Sequence, residues 1–282
     1  MRTGVFFHYQ EGERLRDFPQ ALTGLLERPN IFLYDAFYPL KPRASYELEP
    51  VPQDLLLKVH SPEMLAQVKS SPLYQTALFS AGGTLQAADT IFRGEIDNAF
   101  VFTGCGDHHA GRDFFGGWCY LNGAALAIAH LREKFGARRL AILDTDAHHG
   151  DGTWDLFRND REVLYLCLCP APDQEENSKV NIHIPFPVSD EVYLDRLKVG
   201  LARLRDFRPQ LLFWNWGYDG TRGEYGDLGL SPAVHLQMAR DISRAAGEAW
   251  EGRVVVVLCG GSGRALARQL IPSIIACLAG VL

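Results

Sequence analysis

The chain has 282 residues and a formal net charge of −6, with 47% hydrophobic and 22% charged residues. A chain of this length can bury a substantial core, and this composition is typical of a folded globular protein rather than a disordered one. The negative charge argues against nucleic acid as a partner, because a broad phosphate-binding surface needs clustered excess Lys and Arg. No apolar run reaches membrane-spanning length and the first thirty residues contain no signal-peptide core, so we expect no membrane contact and a cytoplasmic location.

Short apolar runs rich in β-branched residues alternate with helix-like stretches along the chain. The predicted strands are residues 4–8, 31–34, 98–103, 140–144, 163–168, 211–216 and 254–259. The predicted helices include residues 62–68, 83–93, 123–135, 190–206 and 233–251. The strands lack period-two alternation, as is typical of parallel strands with helices on both faces. We therefore predict an α/β fold, a three-layer α/β/α sandwich, in a single domain over residues 1–282.

Four predicted strands end in residues of unusual chemistry. In an open parallel sheet, ligands bind beyond the carboxyl ends of the strands. The four ends carry, in chain order, His108-His109, then Asp144, Asp146, His148 and Asp151, then Asp219, and finally Gly260-Gly261-Ser262. This pattern predicts one crevice at one edge of the sheet that is rich in imidazole and carboxylate.

Residues 144–152 indicate a metal site. If the strand continues to about His148, its period of two turns Asp144, Asp146 and His148 to one side, where two of the three can bind one ion. A carboxylate and a neutral imidazole from this segment, with Asp219, would leave a coordination position open for water or substrate. Such a set suits Zn²⁺, and its two carboxylates also suit Fe²⁺, Mn²⁺ or Co²⁺. A lone Asp-x-His would more often be a surface or capping arrangement; the neighbouring polar strand ends favour the metal.

With these residues assembled, the chain resembles the histone deacetylase family, which includes bacterial acetylpolyamine amidohydrolases and acetoin-utilisation proteins. The shared motifs follow family order from about residue 55 to 263 and include Val59-His-Ser-Pro-Glu63, Ala81-Gly-Gly-Thr-Leu85, His108-His109-Ala110, Gly117-Trp-Cys-Tyr-Leu-Asn122, residues 144–153, Gly217-Tyr-Asp219 and Leu228-Gly-Leu-Ser231. The resemblance implies an arginase/deacetylase fold with a mostly parallel eight-stranded sheet. It also implies hydrolysis of an acylated amine, such as an acyl-lysine peptide or an acylpolyamine, while the oligomeric state stays open.

The resemblance assigns roles to residues at matching positions. Asp146, His148 and Asp219 match the ligands of a single divalent metal, Zn²⁺ in the first instance with Fe²⁺ as an alternative. His109 matches the general base that deprotonates water and later protonates the leaving amine. His108 matches the partner histidine that tunes the site and helps to position the water.

Two carboxylates match residues behind the histidine pair. Asp144 and Asp151 would each fix the tautomer of one imidazole and raise its basicity. The resemblance also implies a structural K⁺ ion held by oxygen atoms of residues 144–148 and of the next strand, near Cys167 and Leu168.

The substrate channel departs from the family pattern at one position. Gly117 and Trp118 match the acyl channel, where Trp118 replaces the usual Phe; a core position is the alternative for this Trp. Ser262 stands where active members usually have a Tyr that stabilises the oxyanion, and loss of one such donor costs about a hundred- to a thousandfold in rate. Ser262 acting through a water, Tyr225 or Tyr218 reaching in from the Asp219 loop, or a more electrophilic acyl group could compensate.

Two further segments depart from the family. Residues 170–180 are shorter than the usual rim segment and read as an exposed loop, which predicts a more open mouth. The opening of the chain offers only His8 and Arg16 as suggestive polar residues.

Two other functions compete with the deacylase. A dinuclear manganese ureohydrolase would need a carboxylate two residues after Asp219, where the chain has Thr221. A non-catalytic or very weakly active protein that binds acylated ligands is favoured by Ser262 alone. It is disfavoured by both histidines and both carboxylates behind them, because a binding protein needs no proton shuttle.

Overall fold

A ten-stranded sheet runs through the part of the chain that the computed structural model describes, residues 1–7, 18–35 and 45–282. The strands are β1 Thr3–Phe7, β2 Ile31–Asp35, β3 Ser45–Glu47, β4 Asn98–Val101, β5 Leu140–Asp144, β6 Val163–Cys169, β7 Gln174–Glu176, β8 Lys179–His183, β9 Leu211–Trp216 and β10 Val254–Leu258. Their order is β3-β2-β1-β4-β10-β9-β5-β6-β8-β7, and every neighbouring pair is parallel except β7 with β8. The mostly parallel α/β sheet is confirmed, whereas the count of eight strands is wrong.

Helices cover both faces of this sheet. The described helices are α1 Phe18–Leu26, α2 Gln53–Val59, α3 Pro62–Lys69, α4 Tyr74–Phe92, α5 Gly123–Phe135, α6 Asp151–Phe157, α7 Asp190–Phe207, α8 Pro232–Ala249 and α9 Arg264–Leu278. One apolar core lies between the sheet and α1, α7, α8 and α9, and a second lies between the opposite face and α2 to α6. In β10, Val254 and Val256 enter the first core while Val255 and Val257 enter the second. Both faces are buried, which explains the missing period-two alternation.

The structure has three strands that the sequence analysis does not predict, β3, β7 and β8. β3 and β7 have three residues each, too few for a hydrophobic pattern. Residues 170–180 are not wholly the loop that the sequence predicts, because β7 pairs with β8 in an antiparallel hairpin at the edge of the sheet. The seven predicted strands are all present with ends shifted by at most two residues. His8 and Arg16 lie outside the described residues.

Helix α4 begins at Tyr74, nine residues before the predicted start at Gly83. Gly82 and Gly83 therefore both lie inside the helix. A Cβ added to Gly82 would lie 2.1 Å from the backbone oxygen of Glu49. Glycine at position 82 therefore lets α4 pack directly against the backbone of residues 49–51. This close packing outweighs the low helix propensity of glycine.

The topology brings the four polar strand ends together. β4, β10, β9 and β5 are consecutive in the sheet, so their carboxyl ends lie side by side. The single domain over residues 1–282 stays a prediction. None of the described helices has the length and apolar character that crossing a bilayer requires.

Asn122 ties the segment after β4 to two helices. Its side chain is fully buried and caps α5 by accepting the backbone N–H of Ala125 at 3.0 Å. Its Nδ2 donates to the backbone oxygen of Ala110 at 3.2 Å and to Thr153 Oγ1 at 3.0 Å. Because Ala110 follows His109, this one amide fixes the loop that carries the histidine pair.

We expect Asn122→Ala to lower the free energy of unfolding by about 2 to 4 kcal/mol, since it removes a helix cap and leaves buried polar groups unpaired. Ser189→Ala is the matched control, because Ser189 caps α7 at the surface, where losing the cap costs about 0.5 to 1 kcal/mol. Urea denaturation followed by circular dichroism measures both. Equal losses in the two variants would contradict the anchoring role of Asn122.

Candidate active site

A cavity of about 590 Å³ opens at the carboxyl ends of these four strands. Seven of the ten predicted site residues line it, namely His108, His109, Gly117, Trp118, Asp146, His148 and Ser262. The other three, Asp144, Asp151 and Asp219, contact lining residues from behind. The fold thus gathers the whole predicted set around one cavity.

The cluster of Asp146, His148 and Asp219 has the spacing of metal ligands. Each residue offers one ligand atom, and these atoms lie within 4.8 Å of one another. His148 Nδ1 lies 3.0 Å from Asp146 Oδ1 and 2.9 Å from Asp219 Oδ2. Asp219 Oδ2 is buried and accepts no hydrogen bond from the described residues, despite that short approach. Ligands bound to one Zn²⁺ at about 2.0 to 2.2 Å lie roughly 3 Å apart, so the cluster fits a divalent ion.

Hydrogen bonds within residues 144–149 set this geometry. β5 ends at Asp144, as the sequence predicts, so the condition that the strand continues to about His148 is not met. The Asp146 N–H donates to Asp144 Oδ1 at 3.2 Å, and the His148 N–H donates to Asp146 Oδ1 at 2.9 Å. Aspartate side chains that bond to the backbone two residues later replace a strand ladder with turns. The Asp-x-Asp-x-His spacing still brings Asp146 and His148 together.

Glycines border both carboxylates. A Cβ at Gly217 would lie 2.5 Å from Asp146 Oδ2 and 2.5 Å from Asp219 Oδ1, and one at Gly260 would lie 2.5 Å from Asp146 Oδ2. The Gly260 N–H donates to Asp146 Oδ2 at 2.7 Å, and the Ala147 N–H donates to Asp219 Oδ1 at 3.2 Å. In each carboxylate this backbone contact fixes one oxygen, while the other oxygen lies next to the imidazole of His148.

The two histidines of the pair are each backed by a carboxylate. His108 Nδ1 lies 2.9 Å from Asp144 Oδ2, which also accepts the hydroxyl of Tyr165 at 3.0 Å. His109 Nδ1 lies 2.7 Å from Asp151 Oδ1. The ring centroids of the two histidines are 4.2 Å apart. When Nδ1 carries the proton that the carboxylate binds, Nε2 of the neutral ring becomes an acceptor.

The site concentrates negative charge. Burial disfavours protonated His108, but Asp144 and Asp146 outweigh it and raise the pKa of His108 to about 10. The hydrogen bond to Asp146 and the nearby carboxylate of Asp219 raise the pKa of His148 to about 10. Burial and the charge of Asp146 raise the pKa of Asp219 to about 6. A cation among these groups would relieve the repulsion between their carboxylates.

Trp118 lies at the mouth of the cavity. Gly117 and Trp118 have φ angles of +53° and +63°, a left-handed turn that places the indole on the surface with 74% of the residue exposed. The alternative of a core position for Trp118 is therefore wrong. A Cβ at Gly117 would lie 2.7 Å from His109 Cδ2, so glycine lets the backbone pass beside the imidazole.

Ser262 is held by a residue that sequence reasoning missed. Its N–H and its hydroxyl donate to Glu224 Oε2 at 2.8 and 3.0 Å, and the Gly263 N–H donates to Glu224 Oε1 at 2.9 Å. The position of Glu224, five residues after Asp219, is the one sequence signal that could have found it. The proton of the Ser262 hydroxyl is therefore donated to the Glu224 carboxylate.

Tyr225 lies where the Asp219 loop meets the glycine pair. Its ring lines the cavity and stacks on His148, with centroids 5.8 Å apart. Its hydroxyl oxygen accepts the Gly261 N–H at 3.0 Å. Tyr218, by contrast, is buried beneath Gly261 and does not line the cavity.

The position of a second ureohydrolase metal ligand carries no carboxylate. Thr221 is buried, and its Oγ1 lies 2.8 Å from Nε2 of His235. The Thr221 hydroxyl is thus hydrogen-bonded to His235, and Thr221 adds no charge to the site.

Comparison with known proteins identifies the family. The model of the histone deacetylase domain matches residues 68–278, about three quarters of the chain. The chain belongs to the histone deacetylase family. A probable deacetylase of Archaeoglobus fulgidus is 32% identical over 204 residues, which are 67% of this chain and 56% of the relative. An acetylpolyamine amidohydrolase of Burkholderia pseudomallei is 33% identical over 167 residues, which are 54% of this chain and 48% of the relative.

A solved structure shares the fold of this histone deacetylase family member. The HD domain of HDA15 superposes with a TM-score of 0.83 at 23% identity, covering 99% of this chain and 89% of that one. The chain spans only about half the length of the two curated relatives named above.

We expect Gly217→Ala to abolish metal binding by the cavity, because the new Cβ would displace Asp146 and Asp219. Gly247→Ala is the matched control, since a Cβ there meets nothing within 4 Å in α8 and should stabilise the helix slightly. Calorimetric titration of the chelator-treated proteins with Zn²⁺ compares them. An unchanged number of bound Zn²⁺ ions per chain, with wild-type affinity, in Gly217→Ala would refute the assigned ligand set.

Proposed function

We propose that this histone deacetylase family member hydrolyses the amide bond of an acylated amine, using one divalent ion held by Asp146, His148 and Asp219. The observation that carries the proposal is the ligand-spaced cluster beside His108 and His109, whose Nδ1 atoms both face carboxylates. A proton shuttle next to a metal site is a combination that can hydrolyse an amide.

Ligand chemistry and the names of the relatives support a substrate class and an ion for this proposal. The names deacetylase and acetylpolyamine amidohydrolase support an acyl-lysine peptide or an acylpolyamine as substrate. Two carboxylates with one imidazole support Zn²⁺, with Fe²⁺ as the alternative. When bound, the ion would polarise the amide carbonyl and make a neighbouring water more acidic. The structural K⁺ ion near Cys167 and Leu168 stays a prediction.

His109 carries out the proton transfers in this proposal. With Nδ1 bound to Asp151, its Nε2 takes a proton from the attacking water and returns it to the departing amine nitrogen. His108 is more deeply buried, and its Nε2 lies 3.7 Å from Asp146 Oδ1, so it supplies positive charge close to the ligand cluster. Asp144 and Asp151 act through the histidines that they orient.

Tyr225 takes over the oxyanion role that the family usually gives to a Tyr at position 262. The Ser262 hydroxyl donates to Glu224, whereas the Tyr225 hydroxyl lies at the cavity wall beside Gly261. A hydroxyl that accepts one hydrogen bond can still donate its own proton, here to the carbonyl oxygen of the substrate. Gly117 and Trp118 also line the cavity, where they would border the acyl channel.

We expect hydrolysis of acetyl-lysine peptides or acetylpolyamines that stops when a chelator removes the metal and resumes when Zn²⁺ is added. His109→Ala should abolish turnover and keep the cavity metal, since it removes the base alone, whereas Asp219→Asn should lose both turnover and the cavity metal. Turnover and metal content per chain are measured on the same samples. Absence of chelator-sensitive hydrolysis on every acetylated substrate, trifluoroacetyl-lysine included, would leave the non-catalytic binding protein as the better description.

We expect Tyr225→Phe to lower kcat about 100- to 1000-fold with little change in KM, because the lost hydrogen bond forms in the transition state. Ser262→Ala is the comparison, and it should change kcat by less than about tenfold because the serine does not contact the carbonyl in this proposal. Steady-state kinetics on one acetylated substrate separates the two. A larger loss in Ser262→Ala than in Tyr225→Phe would assign the oxyanion to the serine.

A further inference from the structure

A cluster of sulfur and nitrogen ligands lies behind the cavity, outside its lining. Cys167 and Cys169 are two residues apart on β6, so both side chains point to the same face. Their Sγ atoms are 3.4 Å apart, and His149 Nδ1 lies 3.6 Å from Cys169 Sγ. The three ligand atoms lie within 4.8 Å of one another.

A fourth side chain faces the same point. Asn181 on β8 has its Oδ1 3.0 Å from Cys169 Sγ and 3.2 Å from His149 Nδ1. Its Nδ2 donates to the backbone oxygens of Ala171 and Pro172 at 2.6 and 2.9 Å. The orientation of the amide is therefore fixed, with the oxygen towards the cluster.

This cluster is closed to solvent on the side of the sheet. Both cysteines are fully buried, His149 is half-buried, and the ring of Trp154 lies 5.4 Å from the ring of His149. Structural metal sites are closed in this way, whereas a catalytic site keeps one position open.

We propose that His149, Cys167 and Cys169 bind a second metal ion, Zn²⁺, with Asn181 as the neighbouring oxygen. Zn–S bonds measure about 2.3 Å and Zn–N bonds about 2.0 to 2.1 Å, so two sulfur atoms 3.4 Å apart can both reach one ion beside the imidazole. Thiolates select soft or borderline ions such as Zn²⁺, whereas the cavity cluster has oxygen and nitrogen ligands alone.

The second ion would stiffen the segment that carries the cavity ligands. His149 follows His148 directly, while Cys167 and Asn181 lie on neighbouring strands β6 and β8. A metal bond from His149 to β6 would anchor residues 145–150 to the sheet. The inference does not depend on hydrolysis, because this ion takes no part in the reaction.

Cobalt distinguishes the two sites. Thiolate-bound Co²⁺ gives an intense charge-transfer absorption in the near ultraviolet, which carboxylate and imidazole ligands do not produce. We expect chelator-treated protein to bind two Co²⁺ ions per chain and to show this absorption. Asp219→Asn should lose one ion and keep the absorption. The double variant Cys167→Ser with Cys169→Ser should keep one ion and lose the absorption. These variants separate failure of this site from failure of the proposed hydrolase.

Two thiol controls complete the test. Cys259→Ser removes a thiol that lines the cavity, and Cys277→Ser removes one on α9, so both should leave the absorption unchanged. Loss of the absorption in Cys259→Ser would place the sulfur ligand in the cavity and overturn the proposal. Absence of the absorption in the unaltered protein would also overturn it, as would four rather than six titratable thiols in the unfolded chain, which would indicate a Cys167–Cys169 disulfide.

Discussion

Two carboxylates lie side by side in the interior of this protein, and the surrounding residues are arranged to hold them there. Asp146 and Asp219 are 1% and 0% exposed, and His148 lies within 3.0 Å of an oxygen of each. Burying an uncompensated carboxylate costs several kcal/mol, and a second one beside it adds repulsion. The glycines next to them and the backbone N–H groups that bind their outer oxygens leave the inner oxygens facing one point. A divalent ion at that point would compensate both charges. The proposed metal therefore explains why two carboxylates, an imidazole and the bordering glycines occur together here.

The sheet topology places the residues of the proposed catalytic site next to one another. β5 and β9 supply the ligand loops, β4 leads into the histidine pair, and β10, which lies between β4 and β9, leads into the glycine pair. The residues proposed as proton shuttle, metal ligands and oxyanion side thus follow four consecutive strands of the sheet. The proposed transfer of the oxyanion role from position 262 to Tyr225 is compatible with this arrangement, because the Asp219 loop and the glycine pair are already in contact through Gly261.

Much of this was predictable from the sequence, and the failures have physical causes. The buried strands could be predicted because both of their faces are apolar. The site residues could be predicted because the carboxyl ends of parallel strands lie at one edge of the sheet. The polar edge strand β7 has no apolar residue that would indicate a strand. β5 does not continue to His148, because the side chains of Asp144 and Asp146 accept backbone N–H groups two residues later. The sequence also could not show that Glu224 holds Ser262, since that contact joins residues 38 apart across the cavity wall.

Anomalous X-ray diffraction at the zinc edge, on crystals grown with Zn²⁺, tests the compensated carboxylate pair most directly. We expect an anomalous peak about 2.0 to 2.2 Å from one ligand atom each of Asp146, His148 and Asp219. A map with these three side chains well ordered and no peak between them would contradict the metal assignment. The buried carboxylates would then be neutralised by protons, and the proposed hydrolysis would lose its basis.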